Sequence, residues 1–213
     1  MEILTNFAVF EGGDGSGTTT QLKLLKEHFS LAGKGLPSFY DTFEPTDSPI
    51  GRIIRSGLKH ETALKPETIA CLFAADRSEH LYEKNGIIER CARGELVVSD
   101  RYIPSSLVYQ GITCGEELPS YLNKDFPCPE VIFFFDLDPE TAQKRMETRA
   151  SKDIFEELEF QIRVRSLYKA MLPRFRDQGV RIEIIDASKS PGEVAALVWR
   201  ALQKMLIFKG FVL

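Results

Sequence analysis

Five short runs of the chain are apolar, β-branched or aromatic enough to be strands: Phe7–Phe10, Ser38–Phe43, Leu96–Ser99, Val131–Phe135 and Arg181–Ile185. Between them apolar residues return at helical spacing, as Leu22, Leu25 and Phe29 do behind the first run. The longest helical patterns run from about Pro66 to Arg93 and from about Phe155 to Arg176. Pro139 behind Asp138 reads as a first-turn proline after a capping residue. Ser190-Pro191-Gly192-Glu193 reads as a capping box for the last helix. Strands alternating with helices predict a parallel sheet covered on both faces. Ligands of such folds sit beyond the C-terminal strand ends, where Glu11–Thr20, Phe43–Pro45 and Asp100-Arg101-Tyr102 fall. With no internal repeat, low-complexity tract or linker, residues 1–213 read as a single domain.

The first run leads directly into Gly12-Gly13-Asp14-Gly15-Ser16-Gly17-Thr18-Thr19-Thr20. A phosphate-binding loop reads G-x-x-x-x-G-K-[ST] between a hydrophobic strand and a helix. Gly12 and Gly17 hold the glycine positions, Thr19 holds the hydroxyl position, and Thr18 stands where the lysine belongs. Most of the binding in such a loop is backbone. Successive N–H groups form a nest for phosphate oxygens, and the helix beginning near Thr19 adds its positive end. The missing lysine withholds one charge-assisted hydrogen bond, worth about 1.5–3 kcal/mol. Phosphate binding is therefore expected to survive, while phosphoryl transfer needs a cation from elsewhere. No G-x-G-x-x-G fits these glycines in register, which argues against a dinucleotide-binding fold.

Composition narrows the picture only slightly. A formal net charge of −4 gives no electrostatic case for a nucleic-acid surface. Cys71, Cys91, Cys114 and Cys128 are widely spaced, with no C-x-x-C pair, so zinc is not expected and reduced thiols in the cytoplasm are. There is no cleavable signal pattern and no apolar run long enough to span a membrane, so neither export nor a membrane partner is expected. The apolar Leu206–Leu213 tail is expected to pack on the core or on a partner subunit.

Three further segments carry chemistry. Phe73 and Arg77, four apart in Leu72-Phe73-Ala74-Ala75-Asp76-Arg77, project from one helix face and offer an aromatic plane beside a guanidinium fork. Asp100 ends a hydrophobic strand as a Walker-B aspartate does and offers a carboxylate to Mg²⁺, directly or through water. Arg101 either reaches the phosphate region or pairs with Asp100 or Asp76. Ser105-Ser106-Leu107-Val108-Tyr109-Gln110-Gly111 follows. Together with Phe10–Gln21, these segments resemble the thymidylate kinase family in order and spacing, through Asp186-Ala187-Ser188 after the last strand.

The resemblance implies an α/β, three-layer P-loop NTPase-type fold: a five-stranded parallel sheet flanked by helices, with a small lid at about residues 149–156. It implies ATP- and Mg²⁺-dependent phosphorylation of dTMP to dTDP by a cytoplasmic homodimer, with the stretch Pro66–Arg93 as candidate interface. It assigns the donor phosphates to Gly12–Thr20 and Mg²⁺ to Thr19 and Asp100. It assigns dTMP to Asp14, Phe43, Phe73, Arg77, Arg101, Ser105, Ser106, Tyr109 and Gln110, with Phe73 stacking on the base, Arg77 on the phosphate and Tyr109 excluding a 2′-hydroxyl. Asp186, Ala187 and Ser188 would lie near the donor adenine or would simply begin a helix. The chain departs from the family at three cationic positions, now Thr18, Phe43 and Ile154. Of the catalytic set Asp14, Arg101, Arg149 and Lys152, either Lys152 or Arg149 is therefore expected to swing over the transferred phosphoryl group as the lid closes. A binding protein with impaired catalysis and a kinase for a related deoxynucleotide or deoxynucleoside are the alternatives.

Overall fold

A computed structural model describes residues 2–146 and 157–210. In chain order its elements are β1 (Ile3–Gly12), α1 (Thr18–Ala32), β2 (Phe39–Phe43), α2 (Pro49–Leu58), α3 (Pro66–Tyr82), α4 (Ile87–Ala92) and β3 (Leu96–Asp100). They continue with α5 (Ile103–Cys114), α6 (Glu117–Asn123), β4 (Cys128–Asp136), α7 (Pro139–Met146), α8 (Leu158–Asp177), β5 (Arg181–Asp186) and α9 (Pro191–Leu202). The strands form one parallel sheet in the order β2-β3-β1-β4-β5.

Alternation along the strands divides the core into two layers. Phe7, Val9, Val97, Ile132 and Phe134 face a layer completed by α3, α5 and α8. Ala8, Phe10, Val98, Val131, Phe133 and Phe135 face the opposite layer, built with α1 and α9. Burying each larger side chain stabilises the fold by about 1.5–3 kcal/mol, which is why these runs carry so few polar residues. The second layer also takes the tail as far as it is described, because Met205 and Phe208 are buried and the Phe208 ring meets Trp199 edge-on at 5.5 Å.

All five predicted strands form, with different ends. β1 begins at Ile3, four residues before the apolar run, because polar Asn6 is accommodated by its own bonds. Its backbone N–H donates to Glu130 Oε2 (2.9 Å) and its Nδ2 to the Cys91 carbonyl (3.2 Å), where pairing with β4 shifts register. The capping box at Ser190 and Glu193 is present, and Asp138 accepts from the Thr141 N–H at 3.2 Å.

The expected helix from Pro66 to Arg93 is two helices. It breaks after Tyr82, where Asn85 adopts φ 62°, a left-handed conformation that asparagine tolerates better than most residues. α3 turns Ile69, Ala70, Ala74 and Leu81 inward against α2, α5 and α6. Among the described residues, no helix is long and apolar enough to cross a membrane.

Candidate active site

The site lies beyond the C-terminal ends of β1, β2 and β3. The glycine-rich loop joins β1 to α1, which starts at Thr18, one residue earlier than expected. Gly15 and Gly17 have φ of +77° and +96°, where a side chain would be strained, and a Cβ on Gly15 would come within 2.8 Å of the Ala142 carbonyl. No side chain caps α1, so the N–H groups of its first turn stay open toward the loop. Thr18 is buried, with no cation in the position it occupies.

Next to the loop, Thr19 Oγ1 donates to Asp100 Oδ2 at 2.5 Å. The other carboxylate oxygen, Asp100 Oδ1, is buried with no hydrogen-bond partner among the described residues. A buried carboxylate oxygen without a partner, beside a hydroxyl, fits a hard divalent cation, which takes oxygen ligands and completes its shell with phosphate and water.

Two cavities open here. The inner one, about 140 Å³, is lined by Asp14, Glu44, Pro45, Leu58, Phe73, Arg77, Arg101, Tyr102, Ser105, Ser106, Tyr109 and Gln110. It thus gathers eight residues that the sequence grouped together: Asp14, Phe73, Arg77, Arg101, Ser105, Ser106, Tyr109 and Gln110. The outer one, about 450 Å³, is lined by the loop, Phe43, Glu44, Pro45, Arg55, Asp100 and Arg101. Phe43 therefore faces the loop rather than the inner cavity. Asp186–Ser188 lies at the end of β5 and lines neither cavity. There Ser188 Oγ closes a turn onto Asp186 Oδ1 at 2.5 Å, and Arg145 Nη1 reaches the Ala187 carbonyl at 3.1 Å. Helix α9 starts only later, at Pro191 behind the capping Ser190, so these residues do not begin a helix. Arg149, Lys152 and the rest of the expected lid lie outside the described residues.

The two arginines differ in kind. Arg77 is 1% exposed and nearly saturated: Nε and Nη2 donate to Glu44 Oε2 (3.0 and 2.6 Å), Nη2 also to Ser106 (3.0 Å), and Nη1 to Asn123. It is neither solvated nor free to clamp an anion bidentately. Arg101 joins the two cavities. Its Nη2 meets Asp14 Oδ1 at 2.5 Å, and its Nη1 donates to the Gly12 carbonyl (2.8 Å) and Ser105 (3.3 Å). Its ion pair is thus with Asp14 rather than Asp100 or Asp76. Asp76 instead accepts from Thr46 and Ser48 in the segment after Pro45. Burial opposes the Arg101 charge, but Tyr109, Asp14, Tyr168 and Asp100 outweigh it and hold the guanidinium more firmly charged than usual. The backbone of Arg101 sits at φ 75°, a strained conformation for a side chain of this size.

Two supporting residues carry no local signature. Gln161, on α8, brackets Asp14: its Oε1 accepts from the Asp14 N–H (3.0 Å) and its Nε2 donates to Asp14 Oδ2 (2.8 Å). Glu11, wholly buried beneath the loop, accepts from Tyr102 N–H (2.8 Å), Ser105 Oγ (2.6 Å) and Tyr168 Oη (2.8 Å). Burial pushes its carboxyl up from 4.5 to about 7, against the opposing pull of Ser105, Arg101, Tyr168 and Tyr102.

This shift fixes a sign. The folded state holds the Glu11 proton more tightly than the unfolded chain, so stability present in acid is lost as pH rises from about 4.5 to about 7. Glu11→Gln removes the titration. We expect urea denaturation to show the variant gaining about 2.5 kcal/mol on the wild type between pH 5 and pH 8. Parallel pH dependences of the two proteins would contradict the assignment.

The chain matches the family model described as thymidylate kinase over residues 10–198. It is 38% identical over 204 residues to a protein of Pyrobaculum aerophilum named probable thymidylate kinase, covering 95% of this chain and 99% of that protein. A probable thymidylate kinase of Methanococcus vannielii is 43% identical over 166 residues, 78% of this chain and 77% of the relative. With the family model spanning most of the sheet and the loop, and relatives aligned over three quarters or more of their length, the chain belongs to the thymidylate kinase family.

Proposed function

We propose that this protein transfers the γ-phosphoryl group of ATP to the phosphate of dTMP, giving dTDP and ADP. The observation that carries the reading is that Asp14 and Arg101 line both cavities, so a donor on the loop and an acceptor in the inner cavity would meet across them. An oxygen of the acceptor phosphate attacks the γ-phosphorus, the bond to the β–γ bridging oxygen breaks, and ADP leaves with that electron pair. A phosphate oxygen is already a competent nucleophile, so no general base is required.

The loop amides and the α1 N-terminus hold the donor phosphates. Thr19 and Asp100 would hold Mg²⁺, which when bound neutralises charge on the donor phosphates. Arg101 takes the acceptor phosphate, being the arginine of the inner cavity that also reaches the loop. Arg77, tied to Glu44, instead presents a remaining N–H to a base carbonyl; this reverses the role expected from the resemblance. Gln110 Oε1, buried in the inner cavity with no partner among the described residues, suits the N–H of a pyrimidine. Phe73 supplies the stacking face, and Asp14, fixed by Arg101 and Gln161, supplies an acceptor to the deoxyribose 3′-hydroxyl. Tyr109, packed under the Arg101 guanidinium at 5.1 Å, limits room for a ribose 2′-hydroxyl.

Steady-state ADP release with dTMP, thymidine and dUMP as parallel acceptors tests the proposal. Turnover selective for dTMP is expected; turnover of thymidine alone, or of none of the three, would overturn it. Base stacking on an aromatic ring is worth about 1–3 kcal/mol. Phe73→Ala should accordingly raise KM for dTMP about tenfold or more and leave kcat close to wild type, because stacking is equal in ground and transition states.

A further inference from the structure

We infer that Arg55 supplies the positive charge at the phosphoryl-transfer centre, carried on the ring of Phe43, in place of the lysine absent at Thr18 and the arginine absent at Phe43. The inference rests on the kinase reading above. Among the described residues, Arg55 and Arg101 are the cations that line the outer cavity with the loop. Arg101 is already committed to Asp14, the Gly12 carbonyl and Ser105. Arg55 is not committed to any buried anion. Its nearest carboxylate, Asp47 at 3.2 Å, is 84% exposed, and such a pair is worth little in water.

What holds Arg55 is backbone. Nη1 donates to the Thr46 carbonyl at 2.7 Å and Nη2 to the Pro45 carbonyl at 2.5 Å. That segment is itself anchored: Asp76 accepts from the Thr46 N–H (2.7 Å), Thr46 Oγ1 (2.6 Å) and Ser48 Oγ (2.7 Å). Ser48 in turn caps α2, the helix that carries Arg55, by accepting from the Gly51 N–H at 3.0 Å. The guanidinium carbon stands 5.6 Å from the Phe43 ring centroid, within cation–π range. Both backbone bonds run through the Nη atoms and use two of the five N–H donors of a guanidinium.

A fixed cation with an unused donor at the rim of the loop cavity is what transfer of a multiply charged phosphoryl group requires, and it is preorganised before substrate arrives. Position 43 has therefore not lost its function with its charge. A ring there seats a guanidinium delivered from α2. As the γ-phosphorus passes from the β–γ bridging oxygen to the acceptor oxygen, Arg55 donates to a non-bridging oxygen of the group in flight; no proton changes hands.

Arg55→Gln removes the charge and keeps a polar head, and Arg55→Lys keeps the charge and loses the fork. In assays with ATP, Mg²⁺ and dTMP, we expect kcat of Arg55→Gln to fall about tenfold to a hundredfold, as one charge-assisted hydrogen bond implies. Arg55→Lys should lie between it and the wild type. Calorimetric titration of dTMP alone should give wild-type affinity in both variants, which also shows that they are folded. Affinity for ADP with Mg²⁺ and aluminium fluoride in the presence of dTMP should fall in parallel with kcat. An active wild type with Arg55→Gln within about threefold of it overturns the role of Arg55 and leaves the kinase reading standing. A wild type inactive on dTMP overturns the kinase reading, and the Arg55 assignment with it.

Discussion

Replacing Arg101 with alanine is expected to lower kcat/KM for dTMP by about 10³-fold or more, the scale of losing two charge-assisted hydrogen bonds to the acceptor phosphate at about 1.5–3 kcal/mol each. The size follows from position. Arg101 lines both cavities, its charge is reinforced by Tyr109, Asp14, Tyr168 and Asp100, and its hydrogen bonds to the Gly12 carbonyl and Asp14 hold the loop to the acceptor side. Truncation also leaves the Asp14 carboxylate with Gln161 as its hydrogen-bond partner among the described residues. A purely structural Arg101 would make a different prediction, and Arg101→Gly separates the two. Glycine deletes the side chain and also relieves the left-handed backbone, which costs about 1–3 kcal/mol in a residue with a Cβ. Arg101→Gly should therefore be as inactive as Arg101→Ala while melting at a higher temperature. If Arg101→Gly recovered activity along with stability, the side chain would not be part of the chemistry.

Asp100→Asn is expected to lower kcat by about 10²- to 10³-fold, since a metal supplies several kcal/mol of charge stabilisation to such a transition state. The substitution keeps the shape of the side chain beside Thr19 but replaces a buried carboxylate, one of whose oxygens has no partner among the described residues, with a neutral group. Its signature is a change in metal response. The Mg²⁺ concentration giving half-maximal rate should rise at least about tenfold, and chelation of Mg²⁺ should abolish turnover in both proteins. An unchanged Mg²⁺ dependence would mean that Asp100 only orients Thr19.

The strands, the loop and the parallel order were legible because each depends on neighbours in sequence. Apolar runs such as Phe7–Phe10 and Val131–Phe135 can be satisfied only by burial on two faces, and glycines at 12, 15 and 17 permit a turn that few other residues enter. Phe73 and Arg77 share a helix face, and both line the inner cavity. Errors occurred where a local pattern had two solutions. The stretch from Pro66 to Arg93 keeps apolar periodicity across Asn85, so its break is set by backbone conformation and not by hydrophobic pattern.

The sequence by itself determined which residues could carry phosphate chemistry and on which ends of which strands they stand. Tertiary structure alone decided how their charges are distributed. Arg77 is taken by Glu44, 33 residues away, Arg101 by Asp14 at a separation of 87, and Asp14 by Gln161 at 147. Arg55 is brought over Phe43 by the fold of an intervening loop and helix. Hydrophobic periodicity repeats along the chain and can be read there. An ion pair depends on a few ångströms of separation and on how much water is excluded around it, and neither quantity exists until the elements have packed.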